Sequence, residues 1–184
     1  APELNFPSAR TTYEDTEIVI LGISVSDEDV AENNMEIQLS VDNGLINFKV
    51  LSKDEETLLC KVLDGGKLGS KRHVNLPGVR VNLPSITSKD LDDIEFGVKN
   101  NVDFIALSFV RDSEDLEKLQ KILDSKKSKA KIIAKIENQE GLDNIHQISK
   151  ASWGVMVARG DLGIETSLTD LPNIQRRIMH ACAK

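Results

Sequence analysis

Three short runs constrain this chain more than anything else in it: VDFIALSFV (102–110), KIIAKIE (131–137) and WGVMVARGD (153–161). Each is almost continuously apolar, and each is set between amphipathic segments. SKDLDDIEFGVKN puts Leu91, Ile94 and Val98 on one helical face, with Thr87 and Asp90 as a cap pair at its start. Asp112 and Ser113 open a second helix carrying Leu116, Leu119 and Leu123. Leu142, Ile145 and Ile148 mark a third, and a fourth runs from Pro172 to the end. Apolar strands alternating with helices belong to a parallel sheet covered on both faces. Strand centres are 29 residues apart from Phe104 to Ile133 and 23 apart from Ile133 to Met156. That spacing suits a (β/α)8 barrel and a doubly wound sheet equally.

The position of the charges separates the two. Arg111, Lys135 with Glu137, and Arg159 with Asp161 all stand at carboxyl-terminal strand ends, where barrel enzymes keep their chemistry. Lys135 and Glu137 are two residues apart on a strand, so their side chains point the same way. Alone, the pair reads equally well as an exposed ion pair at a frayed strand end, which contributes little. Three charged ends in succession favour a site. Three βα units cannot close an eight-stranded barrel, so the chain is expected to hold part of one.

The first half follows a different period. EIVILGIS, EIQLSV, LINFKVL and TLLCKVL are strand-length runs between residues 17 and 77. Asn43-Gly44 is a two-residue hairpin signal between the second and third, and Asp64-Gly65-Gly66 and Leu68-Gly69-Ser70 are turns. Residues 1–16, with Pro2 and Pro7, hold no clear element. The expected fold class is α/β. Residues 1–77 are expected to form a small all-β domain, and residues 78–184 part of a (β/α)8 TIM barrel.

Composition removes several functions. With 40% hydrophobic and 29% charged residues the chain is an ordinary globular one, and its formal net charge of −7 disfavours nucleic acid and anionic membrane as partners. No apolar run approaches the ~20 residues of a membrane span, and APELNFPSAR has neither the basic start nor the apolar stretch of a leader. Opening on Ala rather than Met, the chain is expected to be processed or a fragment of something longer. Cys60 and Cys182 lie far apart, and His73, His146 and His180 are scattered, so free thiols and no His/Cys metal centre are expected.

Glu137 and Asp161, from neighbouring strand ends, suit a hard divalent cation such as Mg²⁺, which often takes one or two carboxylates and completes its shell with substrate and water. Lys135 beside that cation calls for an anion between them, a phosphate or enolate oxygen. The bland alternative is that both carboxylates cap the helices that follow. In ARGDLG (158–163), Gly160 and Gly163 free the backbone next to Asp161, so main-chain N–H groups can approach an anion.

VNLPGVRVNLPSIT (74–87), FGVKNNVDFIALSFVR (96–111), KIIAKIEN (131–138) and VMVARGDLGIE (155–165) resemble, in order, the motifs of pyruvate kinase, from about residue 37 to residue 184. VDNGLINFKV and DGGKLGSKRHVNLPG resemble the second half of that family's lid, a small all-β domain inserted in its barrel, so residues 1–77 would be part of that insert. The three apolar strands resemble the family's fourth, fifth and sixth barrel strands. The resemblance implies Lys135 as the catalytic lysine, and Glu137 and Asp161 as ligands of Mg²⁺ or Mn²⁺. It implies that Ala158, Gly160 and Asp161, with Lys135, bind phosphoenolpyruvate or pyruvate. Lys71 and Arg72 would lie near the phosphates of ADP or ATP. Arg72 stands where lysine is common, Asn43 where many members have Asp, Trp153 where an acidic residue is usual, and Thr166-Ser167 where Ile-Pro is typical. The resemblance further implies K⁺, whose ligands have no match in this chain, and a homotetramer in the cytoplasm, or in the plastid of plants. The first three and last two barrel strands and the carboxyl-terminal domain have no counterpart here, so the chain alone is expected to be inactive. Two other readings remain open from sequence: a Mg²⁺-dependent aldolase or lyase barrel, which would lack the lid insert, and a non-catalytic remnant.

Overall fold

The computed structural model describes residues 3–4, 10–21, 38–42, 44–54, 57–69, 72–77 and 84–183. The chain divides into two compact units, Ala1–Asn82 and Leu83–Lys184.

The first unit is all β: β1 (Glu3–Leu4), β2 (Arg10–Thr12), β3 (Glu17–Leu21), β4 (Gln38–Val41), β5 (Ile46–Lys53), β6 (Thr57–Asp64), β7 (Gly66–Leu68) and β8 (Arg72–Asn75). Six of these make an antiparallel sheet in the order β1-β8-β4-β5-β6-β3, and β2 pairs with β7. Period-two alternation builds its core. Leu58, Cys60 and Val62 of β6 are buried while Thr57, Leu59 and Lys61 are only partly covered. Leu39, Val41, Ile46 and Phe48 meet them, each full burial contributing about 1.5–3 kcal/mol. Burial in this apolar setting pushes the Cys60 thiol up to about 11. Both cysteines are free.

The hairpin expected at Asn43-Gly44 joins β4 to β5, but Val41 pairs with Ile46, so its loop is the four residues Asp42–Leu45. Asp42 (φ 54°) as well as Gly44 (φ 80°) takes the left-handed conformation. Asp tolerates that region better than most side chains, which lengthens the turn beyond the two residues its Asn-Gly signal suggests. Asn43 lies outside the described residues. So does Lys71, and of Arg72 only the backbone is described, in β8 opposite Leu4.

The second unit runs α1 (Ser88–Lys99), β9 (Phe104–Leu107), α2 (Ser113–Ser125), β10 (Lys131–Ile136), α3 (Gln139–Asp143), α4 (Ile145–Ala151), β11 (Gly154–Val157), α5 (Arg159–Glu165), a 3-10 turn at Leu168–Asp170, and α6 (Leu171–Cys182). Its sheet is parallel, with β10 between β11 and β9. Thr87 and Asp90 form a reciprocal capping box on α1. Asp112 caps α2 by accepting from the Asp115 N–H at 3.1 Å. Leu116, Leu119 and Leu123 are buried with Ile132, Ala134 and Ile136 of β10 and with Leu142, Ile145 and Ile148. Leu91, expected on the inner face of α1, is 43% exposed. No described helix is long and apolar enough to cross a membrane.

The strands are shorter than their apolar runs. β9 stops at Leu107, and two residues later Phe109 is left-handed (φ 51°), which ends the extended chain. β11 stops at Val157. Arg159 and Asp161 therefore stand in the first turn of α5, not on a strand end. The third expected helix breaks at Asn144 into α3 and α4. Only one face of β10 carries core residues; Lys131, Ile133 and Lys135 lie on the other. Register places Phe104, Ala106 and Met156 on that second face, and Phe104 and Met156 are 48% and 45% exposed. Among the described residues the sheet is an open three-stranded piece, covered on one side.

Candidate functional site

The site begins where β10 ends. Lys135 Nζ lies 2.7 Å from Glu137 Oε1 and donates to Ser108 Oγ at 2.9 Å. The other carboxylate oxygen, Glu137 Oε2, accepts the Phe109 N–H at 2.6 Å. The Glu137 side chain is 1% exposed and that of Lys135 24%, so this is not an ion pair at a frayed end. Taking two charges out of water costs several kcal/mol per ion unless their partners are well placed. Here every contact is short, and two of the carboxylate's roughly four lone-pair positions are used. The remainder can face a cation.

Capping does not explain Glu137. Asn138 caps α3, its Oδ1 accepting from the Gly141 N–H at 2.7 Å.

The donor that meets Glu137 comes from a loop held in an unfavourable conformation. A left-handed backbone costs an L-residue about 1–2 kcal/mol, and an aromatic residue there is uncommon. The turn at Phe109 is braced from beyond. Arg111 Nε and Nη2 reach Asp115 Oδ2 and Oδ1 at 3.1 and 3.3 Å, the Arg111 N–H reaches Oδ2 at 3.3 Å, and Lys118 Nζ reaches Oδ1 at 3.3 Å. Asn144 Nδ2 donates to the Arg111 carbonyl at 2.9 Å. A Cβ on Gly141 would collide with the Val110 carbonyl oxygen, so α3 approaches the loop as closely as a residue without a side chain allows. Asp115 is 1% exposed. Burial drives its carboxyl upward, but the Arg111 guanidinium, the Ser85 hydroxyl and the Arg111 N–H outweigh burial and hold it below the usual carboxylate range. Arg111, one of the three charged ends read from sequence, is thus part of this brace.

The third part is the opening of α5. Asp161 occupies the third position of the helix, and Ala158 its N-cap, with no side-chain cap. The Ala158 N–H is engaged with the Ile136 carbonyl at 3.3 Å. The first-turn N–H groups of Arg159, Gly160 and Asp161 have no intrahelical acceptor by the geometry of any helix. A side chain at Gly160 would meet nothing within 4 Å, so the backbone there is open to approach. Gly163 serves packing instead: a Cβ there would lie 2.7 Å from Leu168 Cδ2. Trp153 packs against Phe104, ring centroids 4.8 Å apart, at the amino-terminal ends of the strands. Thr166 closes α5 through a 2.6 Å bond from its hydroxyl to the Leu162 carbonyl.

No group of three or more His, Cys, Asp or Glu gathers among the described residues. The Glu137 carboxylate, with a lysine alongside, is the kind of oxygen donor that a hard cation uses while leaving most of its shell to water and substrate, unlike a closed Cys/His centre. Ser108 and the Phe109 N–H are part of this constellation without any mark in the sequence: the register of the folded sheet sets Leu107 opposite Ala134, and one further step brings Ser108 opposite Lys135.

The family model described as pyruvate kinase, barrel domain, matches residues 8–184, reaching back well ahead of the motifs that begin near residue 37. A pyruvate kinase of Staphylococcus epidermidis is 47% identical over 153 residues, which are 82% of this chain and 26% of that protein. A pyruvate kinase of Staphylococcus aureus is 47% identical over 146 residues, 78% of this chain and 25% of its own length. The chain spans about a quarter of the length of the curated relatives it matches.

Proposed function

Because the chain belongs to the pyruvate kinase family, we propose that the full-length enzyme carrying it transfers the phosphoryl group of phosphoenolpyruvate to ADP. The bond between phosphorus and the enol oxygen breaks and a bond to the terminal phosphate oxygen of ADP forms. The enolate left behind takes a proton at its methylene carbon, delivered from outside this chain, and pyruvate and ATP leave. The observation that carries this reading is the Lys135–Glu137 pair, buried at a strand end beside the opening of a helix. In such transfers a protein contributes mainly position and countercharge.

Glu137 and Asp161 would hold Mg²⁺ or Mn²⁺, which when bound neutralises charge on phosphoryl and enolate oxygens. Lys135 supplies a second positive charge to the phosphoryl group in flight. Its three donors allow two to stay on Glu137 and Ser108 while one turns to substrate. The Gly160 and Asp161 N–H groups, with Ala158 at the helix opening, take the carboxylate of phosphoenolpyruvate, favoured there by the helix dipole. Lys71 and Arg72, in the β unit that serves as the lid, approach the nucleotide phosphates. Residues 78–184 supply the barrel portion. K⁺, held by residues outside this chain, a homotetrameric assembly and a cytoplasmic location complete the proposal.

The match across both units, strands of the β unit included, favours this over an aldolase or lyase, which would lack the insert. The test is pyruvate formation by the full-length enzyme. It should require phosphoenolpyruvate, ADP and Mg²⁺ together; pyruvate released at the same rate without ADP would contradict phosphoryl transfer.

A further inference from the structure

Resting on that reading, we infer that Ser108 is a positioning residue for Lys135, holding its ammonium at the site by a contact that does not depend on the state of Glu137. A lysine side chain carries about 2 kcal/mol of rotamer entropy that must be overcome to fix its tip. Two contacts fix this one, Glu137 Oε1 at 2.7 Å and Ser108 Oγ at 2.9 Å. They are not equivalent. Glu137 is the carboxylate assigned above to the divalent cation, and a cation drawing on its charge weakens the pull on the ammonium and repels it. The Ser108 hydroxyl is neutral, so its hold survives loading of the cation.

Ser108 also sits in a loop held at several points. It precedes Phe109, whose N–H is bonded to Glu137 Oε2. The same loop is tied down by the Arg111–Asp115 contacts and by Asn144. The three groups Ser108, Lys135 and Glu137 are therefore set by one short loop and one strand end. The Ser108 side chain is exposed and belongs to neither core cluster, so a core-packing role does not account for it.

The test is a double-mutant cycle in the full-length enzyme, with Ser108→Ala, Ser108→Thr, Lys135→Met and the Ser108→Ala/Lys135→Met pair. Ser108→Ala should lower kcat about tenfold, with KM for phosphoenolpyruvate and the Mg²⁺ requirement each moving less than about twofold. Ser108→Thr, which keeps the hydroxyl, should recover most of that loss. The double variant should be no slower than Lys135→Met alone, because a residue acting only through the lysine has nothing left to position. Unchanged kcat in Ser108→Ala beside a disabled Lys135→Met would overturn this role and leave the phosphoryl-transfer reading standing. So would losses that multiply in the double variant, or a Thr variant as slow as the Ala one. An undiminished Lys135→Met would instead remove the reading on which the role rests.

Discussion

Lys135→Met in the full-length enzyme should lose roughly a thousandfold or more in kcat, about 4 kcal/mol of transition-state stabilisation, while Mg²⁺ binding is kept. The methionine fills most of the lysine's volume and deletes only its charged tip. That tip is the positive charge nearest Glu137, at 2.7 Å. On the proposed mechanism its removal takes away the charge that would neutralise the transferring phosphoryl, and with it the ammonium that would compete with a cation for the carboxylate. The two effects have opposite signs for the two observables: turnover falls, and metal affinity holds or rises. Steady-state kinetics across a Mg²⁺ series read both at once. Lost turnover together with lost metal affinity would mean that Lys135 supports the shape of the site rather than its charge.

Glu137→Gln should do the reverse to the metal. Glutamine keeps the shape and can still accept the Phe109 N–H that now reaches Oε2 at 2.6 Å, so the loop has no reason to move. What disappears is one of the two carboxylates proposed to hold the cation. The Mg²⁺ concentration for half-maximal activity should rise about a hundredfold, some 2.7 kcal/mol, with kcat depressed even at saturation because Lys135 has lost its charged anchor. A variant with ordinary metal dependence would strip Glu137 of its assigned part.

These effects could be anticipated unevenly from the sequence, and the reasons are physical. The inward leucines of α2 and the Thr87–Asp90 capping box were legible because both are written in local spacing, which the helix reads directly. That Lys135 and Glu137 point together followed from strand alternation alone. Their partners did not, since Phe109 and Ser108 come from the loop after β9, 28 and 27 residues before the groups they bond. The extents of β9 and β11 were overestimated for a related reason. Apolar runs mark what is buried, whereas the left-handed backbone of Phe109 and the start of α5 at Arg159 are imposed by what the chain must do next. Arg111 is tied to Asp115, a buried partner four residues on, and the helix start marked by Asp112 and Ser113 gives no sign of that pairing. In the hairpin, Asn43-Gly44 located the turn, and Asp42 set its length.

The central claim is that Glu137 and Asp161 make one metal site beside Lys135, facing an enolate. Titrating this chain with Mn²⁺ and oxalate, a mimic of the enolate of pyruvate, tests it most directly, by calorimetry on the unchanged chain and on Asp161→Asn, with far-UV circular dichroism to show that both are folded. The account predicts that oxalate tightens Mn²⁺ binding in the unchanged chain and that Asp161→Asn abolishes it. A folded unchanged chain that binds no Mn²⁺ with oxalate, or an Asp161→Asn chain that binds it equally well, would contradict the account.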